Sequence, residues 1–542
     1  MPSGKVSTLL LLSALVLTWS GHLPILAAPA PAPAPAPEPL AISANITGSL
    51  GNLCSSQPGV LSLVQGSAAN QDRAGLAIAV PASLTNAVAV QQIAQIAWEY
   101  IYSFPIPFVA KTLALGSANG TAVNTFYLRS NRLATSNDTA VVAPNHDTIY
   151  SQGWLDLSQG PVILTLPSFD SNRYWIVPLQ DAYTNTYSVL GSDYNTQAGQ
   201  YLIVGRNVSV NATFRGFTPD RIIHAPTDIN LIIARVQVMS NADTAAASSL
   251  NQAITLAAYS TSANATSSTM SKATTIARAV NGSGYGTTST LLQYVTNLSQ
   301  QPAAWFNLSA TFVGIDPPGM GASSVDTTLA ALSTTAGNAT GLAATAFGVG
   351  SQVALRCITT SDVGLDTKTG WNITNGAGSY GKDYLLRAQI ARSGLGALPA
   401  SQSIYATTTR DSQNRTLDAS TGNNYTVTFP LPLPARAFWS LTLYNAPTMA
   451  LVNNTINRYS IGDNTSGLSL SGAGNNTLQV FISASQPARQ SPQYANWLPA
   501  PINAPFELIL RLYEAESDVF SGQYAPPAVV RATDQASTIT SK

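Results

Sequence analysis

Histidine is scarce in this chain. Three are present, and His22 falls in an apolar leader, so His146 and His224 alone remain in the body. Two histidines cannot furnish a three-histidine zinc site. No G-x-S-x-G elbow accompanies them, which argues against a standard Ser-His-Asp hydrolase. A Walker loop and a G-x-G-x-x-G in a βαβ setting are also missing, so ordinary nucleotide binding is not indicated. Cysteine is scarcer: Cys54 and Cys357 are the two in the sequence, too far apart for a zinc knuckle. In an oxidising compartment they suit one long-range disulfide, and a free buried pair is the other reading. No EF-hand spacing is present for calcium. The sequence therefore assigns no metal site and names no cofactor. Charge is sparse too, at 9% of residues, with 25 basic and 25 acidic side chains and zero net charge. No Lys/Arg cluster is visible, which argues against nucleic acid and anionic membranes as main partners.

What is present first is a leader. Lys5 precedes an apolar run from Val6 to Trp19, with small residues at Ala27 and Ala28. This predicts a secretory signal peptide over 1–28. Ser13, Thr18, Ser20 and His22 interrupt the run before the ~20 residues a membrane span needs, so no anchor is expected. An Ala-Pro tract follows, a polyproline spacer over 29–44. N-x-Ser/Thr sequons recur from Asn45 to Asn475, Asn424 among them. With a signal peptide, they predict a secreted, extracellular glycoprotein. No hydrophobic tail follows Ala528, so a lipid anchor is not expected.

Periodicity divides the body. Val88 to Phe104 carries apolar residues at helical spacing, stopped by Pro105 and Pro107. Short apolar runs with turn residues at their ends then predict strands within 160–167 and at 174–179, 201–204 and 231–238. Thr244 to Tyr259 reads as a helix behind a Ser/Asn/Asp cap, with further helices near 291–298, 327–335 and 342–347. Strand signals return at 425–429, 437–444, 477–482 and 506–513. The fold class expected is α+β, mainly β, with two β-sandwich or jelly-roll-like domains separated by a mainly helical region. The boundaries expected are a β-rich domain with a leading helix over 45–239, the helical region over 240–400, the second β domain over 401–528 and a polar tail over 529–542. One internal echo aligns Tyr174-Trp175-Ile176 through Ala182 with Phe438-Trp439-Ser440 through Ala446 without a gap. If the two β regions are related, these are equivalent strands.

The densest chemistry lies in Asn145-His146-Asp147-Thr148-Ile149-Tyr150-Ser151 and Trp154-Leu155-Asp156-Leu157. With Gly160-Pro161-Val162, Arg173-Tyr174-Trp175 and Leu179-Gln180-Asp181-Ala182-Tyr183-Thr184-Asn185, these residues resemble domain of unknown function 1254. Pro434, Phe438-Trp439-Ser440-Leu441-Thr442-Leu443-Tyr444, Asn457-Arg458-Tyr459-Ser460-Ile461-Gly462, Asn496-Trp497-Leu498-Pro499-Ala500 and Leu510-Arg511-Leu512-Tyr513 resemble domain of unknown function 1214. The resemblance spans roughly 88 to 528 and implies a fold: a β-rich first domain, a helical region and a jelly-roll-like end. It implies no defined activity.

Candidate site residues follow from residue type. Asp147 reads as a general acid/base or ligand anchor beside His146, Tyr150 and Tyr183, with Asn145 and Trp154 nearby. Asp147 and Asp156 suit glycoside chemistry if they stand about 5 to 10 Å apart. The architectural alternative makes Asp147 and Asn145 turn caps and Tyr150 and Trp154 core. Arg173 either pairs with Asp181 across the sheet or holds a ligand carboxylate or sulfate. Arg458, Tyr459, Trp497 and Arg511 form an Arg-aromatic set suited to sugar rings, or to sandwich packing with stacked arginine. His224 reads as a loop histidine. Two functions follow. One is a secreted protein with a polar-aromatic ligand or catalytic site in the first β domain, for carbohydrate or a small organic substrate. The other is a non-catalytic surface or matrix glycoprotein of jelly-roll modules that binds glycans or assembles with itself.

Overall fold

The computed structural model describes residues 84, 87–138, 143–259, 270–284, 291–319, 323–360 and 365–534. The leader, the Ala-Pro tract, Cys54 and the end of the polar tail lie outside the described residues. The chain is α+β, with sheets in two regions and helices between them.

The first region is a two-sheet sandwich. One sheet runs β1 (Thr125–Arg129), β2 (Thr148–Asp156), β8 (Ile229–Gln237), β4 (Trp175–Asp181), β5 (Thr186–Gly191). The other runs β7 (Ile222–His224), β6 (Gly199–Val204), β3 (Val162–Leu166), β9 (Thr255–Ala258). Side chains alternate across a strand. Ile149 and Leu155 of β2, Val177 and Leu179 of β4 and Ile232, Ala234 and Val236 of β8 turn inward onto Val162, Leu164 and Ile203. β9 corrects one expectation. The helix starting at Thr244 ends at Ala253, and the chain becomes extended at Ile254 to pair Thr255–Ala258 with β3. The open edge of β3 offers those residues ladder hydrogen bonds that a longer helix would forgo. The first sandwich therefore continues beyond residue 239.

The second region is built the same way. Its larger sheet runs β10 (Leu365–Asp366), β11 (Asn372–Thr374), β12 (Ser403–Thr408), β19 (Phe506–Ala515), β14 (Ala435–Asn445), β15 (Ser460–Gly462). The smaller runs β16 (Leu470–Ser471), β17 (Thr477–Ser483), β13 (Tyr425–Pro430), β20 (Val530–Arg531), with β18 (Trp497–Pro499) beside β17. Trp439, Leu441, Leu443, Leu508, Leu510 and Leu512 meet Val427, Phe429, Leu478 and Val480 in its core.

The two sandwiches share one topology. The lateral order β2-β8-β4-β5 recurs as β12-β19-β14-β15, each strand in the same sequential place. In the partner sheets β3, β6, β7 and β9 recur as β13, β17, β18 and β20, and β6–β7 and β17–β18 are the parallel pairs in both. Trp175 of β4 and Trp439 of β14 therefore occupy equivalent strands, as the echo requires. The strand order supports a tandem repeat of one sandwich.

Helices cover part of the first sandwich. Ala87–Ser103 buries Ile93, Ile96, Ala97, Tyr100 and Ile101 and exposes Gln91, Gln92 and Gln95. It stops before Pro105, but Pro105 opens a second helix to Gly116. Proline is tolerated in a first turn because its missing N–H has no intrahelical partner there. Gly341–Thr360 is the one described helix long and apolar enough to cross a membrane. It packs on Ala87–Ser103, where Gly350 lets Ile96 approach: a Cβ there would stand 2.6 Å from Ile96 Cγ2. The group rests on the outer face of the first large sheet through Trp154, Ile229, Leu231 and Ile233. Asp316 fixes that docking. It is fully buried, accepts from the Asp228 and Ile229 N–H groups at 3.0 and 2.8 Å, and meets Lys272 Nζ at 3.0 Å.

Candidate functional site

The remaining outer face of the first large sheet meets the outer face of the second. Alternation explains the unusual composition there. While Leu508, Leu510 and Leu512 of β19 serve the core, Arg511 and Tyr513 point the other way. Ser403 and Tyr405 of β12 and Phe438, Ser440, Thr442 and Tyr444 of β14 share that opposite face. An outer sheet face would ordinarily be wet, yet every β19 residue is buried. The first sandwich covers it, presenting Tyr150, Tyr174, Ile176 and Arg235. Tyr174, Ile176, Phe438 and Tyr513 form one apolar cluster across this seam. Phe438 stacks on Tyr513 at 3.9 Å, and Tyr174 meets Tyr513 edge-on at 5.2 Å.

The repeat brings one motif to the seam twice. Arg235 is paired in register with Tyr150 on one side and Ile176, next to Trp175, on the other. Arg511 is paired with Tyr405 on one side and Ser440, next to Trp439, on the other. The two arginines thus hold equivalent positions. Each guanidinium lies over its tyrosine, Arg235 5.3 Å from the Tyr150 centroid and Arg511 5.9 Å from that of Tyr405. Arg235 is 1% exposed and Arg511 0%. Neither forms an ion pair among the described residues. Arg235 donates to the Gly396 carbonyl at 2.8 Å. Arg511 donates to Thr442 Oγ1 at 2.9 Å and to the Tyr444 hydroxyl at 2.8 Å. Both Nε groups, the Tyr174 hydroxyl and the Ser403 hydroxyl are buried without a hydrogen-bond partner among the described residues. Burial pushes the Tyr174 and Tyr513 phenols far up, and the Tyr444 phenol to about 12 despite Arg511, so the tyrosines are neutral near pH 7.

The Asn145–Asp147 loop closes one side. β2 begins at Thr148, so Asp147 escapes the strand alternation and reaches the second sandwich. Its Oδ2 accepts from Ser440 Oγ at 2.7 Å and from the Tyr513 hydroxyl at 3.0 Å. Asn145 Nδ2 donates to the same Tyr513 oxygen at 2.8 Å, while its Oδ1 accepts from the Asp147 and Thr148 N–H groups. Tyr444 donates to the Pro144 carbonyl at 2.9 Å. His146 sits at the rim, Nδ1 2.5 Å from the Ala134 carbonyl and its ring edge-on to Tyr459 at 5.0 Å. Burial lowers its pKa.

Of the residues expected from sequence, the seam gathers Asn145, Asp147, Tyr150 and Arg511, with His146 and Tyr459 at its edge. The others stand elsewhere. Asp156 lies at the far end of β2, nine residues from Asp147, or roughly 30 Å along an extended strand. That rules out a glycosidase carboxylate pair; Asp156 instead accepts from the Ser158 and Ala273 N–H groups. Arg173 does not pair with Asp181. It binds Asp170 and Asp243 and the Gln237 carbonyl. Asp181 accepts from the Tyr183 and Asn185 N–H groups, holding the turn after β4. The Tyr183 hydroxyl donates to the Asp316 carbonyl, and Trp154 is helical-side core. Arg458 donates to the carbonyls of Tyr494, Ala495 and Trp497, and Trp497 Nε1 to that of Ser483, so this pair braces loops. Cys357 is buried and disulfide-bonded; Cys54 lies outside the described residues. His224 ends β7, on the smaller sheet. Arg235, Tyr405 and Ser403 were not singled out from sequence. The available signal was Arg235 itself, a charged residue inside the apolar run Leu231–Val238.

Comparison with known proteins matches both halves. Residues 123–258 match the family described as protein of unknown function (DUF1254), and 402–517 the family described as protein of unknown function (DUF1214). No curated protein matches the chain. Among solved structures, the VPA0106 protein of Vibrio parahaemolyticus is similar at 19% identity and a TM-score of 0.55, over 81% of this chain and 100% of that one. An uncharacterized protein of Burkholderia cenocepacia aligns at 10% identity and a TM-score of 0.38, over 90% and 93% of the two chains. The first likeness is one of fold.

Proposed function

We infer that this chain, which belongs to the two-domain family joining a DUF1254 part to a DUF1214 part, is an exported glycoprotein that binds a small organic anion in the seam between its sandwiches. One observation carries the reading. Arg235 and Arg511 are buried at equivalent positions of the repeat, without ion pairs among the described residues, and each keeps an unpartnered Nε. Burying a cation without a counter-charge is costly. Asp147, within electrostatic reach of Arg511, balances one of the two. A planar guanidinium fork matches carboxylate or sulfate, and Tyr150, Tyr174 and Tyr405 supply ring faces and hydroxyls. The ligand class supported is a ring bearing an acid group, such as a sugar acid or an aromatic acid. Asp147 holds the seam closed around it. Thermal-shift screening of the purified secreted protein against acidic sugars, aromatic acids and their neutral counterparts tests this; the acids raise the melting temperature and the neutral forms do not.

The alternative, a non-catalytic surface glycoprotein, is favoured by a different observation. Asp147 is 6% exposed, and its carboxylate is already bonded to Ser440 and Tyr513. In that reading the seam is a joint between modules. A screen in which no acid shifts the melting temperature favours the joint.

A further inference from the structure

The smaller sheet of the second sandwich carries a separate feature. β13 and β17 are antiparallel, with Tyr425 opposite Ile482 and Thr426 opposite Phe481. Tyr425, Val427, Val480 and Ile482 point into the core. Alternation therefore puts Thr426 and Phe481 on the outer face, and Asn424, two residues before Thr426, beside them. There a groove of ≈ 240 Å³ is lined by Asn424, Phe481 and Ser483, with Ser485, Gln486 and Gln493 of the segment that follows β17. Asn424-Tyr425-Thr426 is an N-x-Ser/Thr sequon.

We propose that Asn424 carries an N-linked glycan whose first sugar is seated in this groove against the Phe481 ring. Three features converge. The acceptor asparagine is itself a lining residue and only partly buried. Phe481 is half-buried beside its register partner Trp497, and an aromatic face suits the C–H groups of a pyranose. The remaining lining offers Ser485, Gln486 and Gln493 as exposed polar partners. The groove lies below the ~300–1,000 Å³ of ordinary small-molecule sites, which fits one tethered sugar better than a free ligand. Tethering also removes the translational cost of binding, so modest contacts suffice. Attachment precedes folding in the secretory pathway, so burial of Thr426 in the final sheet is no obstacle. The sugar acts as a staple on a sheet whose outer face is otherwise exposed at Thr428 and Gln479.

This inference rests on the exported-glycoprotein reading, and one experiment separates the two. The full chain is secreted from a eukaryotic host and site occupancy is measured by glycopeptide mass spectrometry. The melting temperatures of the parent, Asn424→Gln, Phe481→Ser and the double variant are then compared. The expected result is occupancy at Asn424, a fall of about 2 °C on Asn424→Gln, and no further fall when that change is added to Phe481→Ser. Occupancy at other sequons with Asn424 bare overturns the glycan seat alone. Equal falls from Asn424→Gln with and without Phe481 overturn the stacking. A protein retained in the cell with every sequon bare overturns the export reading itself.

Discussion

The Ser440 hydroxyl donates a 2.7 Å hydrogen bond to the Asp147 carboxylate, joining positions 293 residues apart. One comes from the loop before the first long strand of the first sandwich, the other from the strand of the second sandwich that bears Trp439. With Tyr513 on the same oxygen, Asp147 links the two halves of the repeat through charge-assisted bonds inside a buried seam.

Removing that acceptor loosens the seam. Asp147→Ala leaves the Ser440 and Tyr513 hydroxyls without it, and costs about 3 kcal/mol of stability. Asp147→Asn keeps one acceptor oxygen and costs about half as much. A double-mutant cycle with Ser440→Ala, read by urea denaturation, should give a coupling of about 1 kcal/mol. Additive effects would mean the contact does not hold the halves together.

Asp316 makes a second, independent joint, between helices and sheet. Asp316→Ala removes the acceptor for two N–H groups at the start of β8 and for Lys272. Breaking so buried a charged network costs about 3 kcal/mol. Burial pushes the Asp316 carboxyl up to about 6 even with Lys272 beside it. A raised carboxyl contributes stability present below its ordinary 3.8 and lost as pH rises through about 6. Asp316→Asn should therefore flatten the stability profile between about pH 4 and pH 6 in chemical denaturation.

His146 has the opposite sign. Burial lowers its pKa beneath the ordinary 6.5. Its contribution is complete above 6.5 and is lost as pH falls toward the depressed value, because the unfolded chain takes up the proton first. The difference in denaturation midpoint between the parent and His146→Gln should narrow from about pH 7 to pH 5. A constant difference across that range would show that His146 does not titrate with folding.

Much of the architecture was legible because strands here are bounded by Pro, Gly and Asn, and their apolar runs are short. The echo between Trp175 and Trp439 raises the repeat as a hypothesis, and the strand order supports it. The site was less legible. Asp147, Tyr150 and Arg511 stood out as polar residues in recognisable motifs, but sequence order hid that they meet across the seam. Arg173, Asp181 and Asp156 carried the same chemistry on paper and turned out to brace turns, since local capping leaves no distinctive spacing. Arg235 was hidden in a run that reads as uniformly apolar. Its role emerges from register: it is to Tyr150 what Arg511 is to Tyr405.

Anion binding by the parent protein and by the Arg235→Met and Arg511→Met variants tests the central claim most directly. Isothermal titration with the acids that raise the melting temperature should give saturable binding to the parent, at least tenfold weaker in each variant. Met fills much of the buried volume without a charge, so Arg235→Met should keep stability within about 1 kcal/mol of the parent or gain it, whereas Arg511→Met leaves Asp147 without its balancing cation and should cost about 3 kcal/mol. Unchanged affinity in both variants, or a parent that binds no acid while Arg235→Met loses several kcal/mol, would contradict the account and make the two arginines part of the joint.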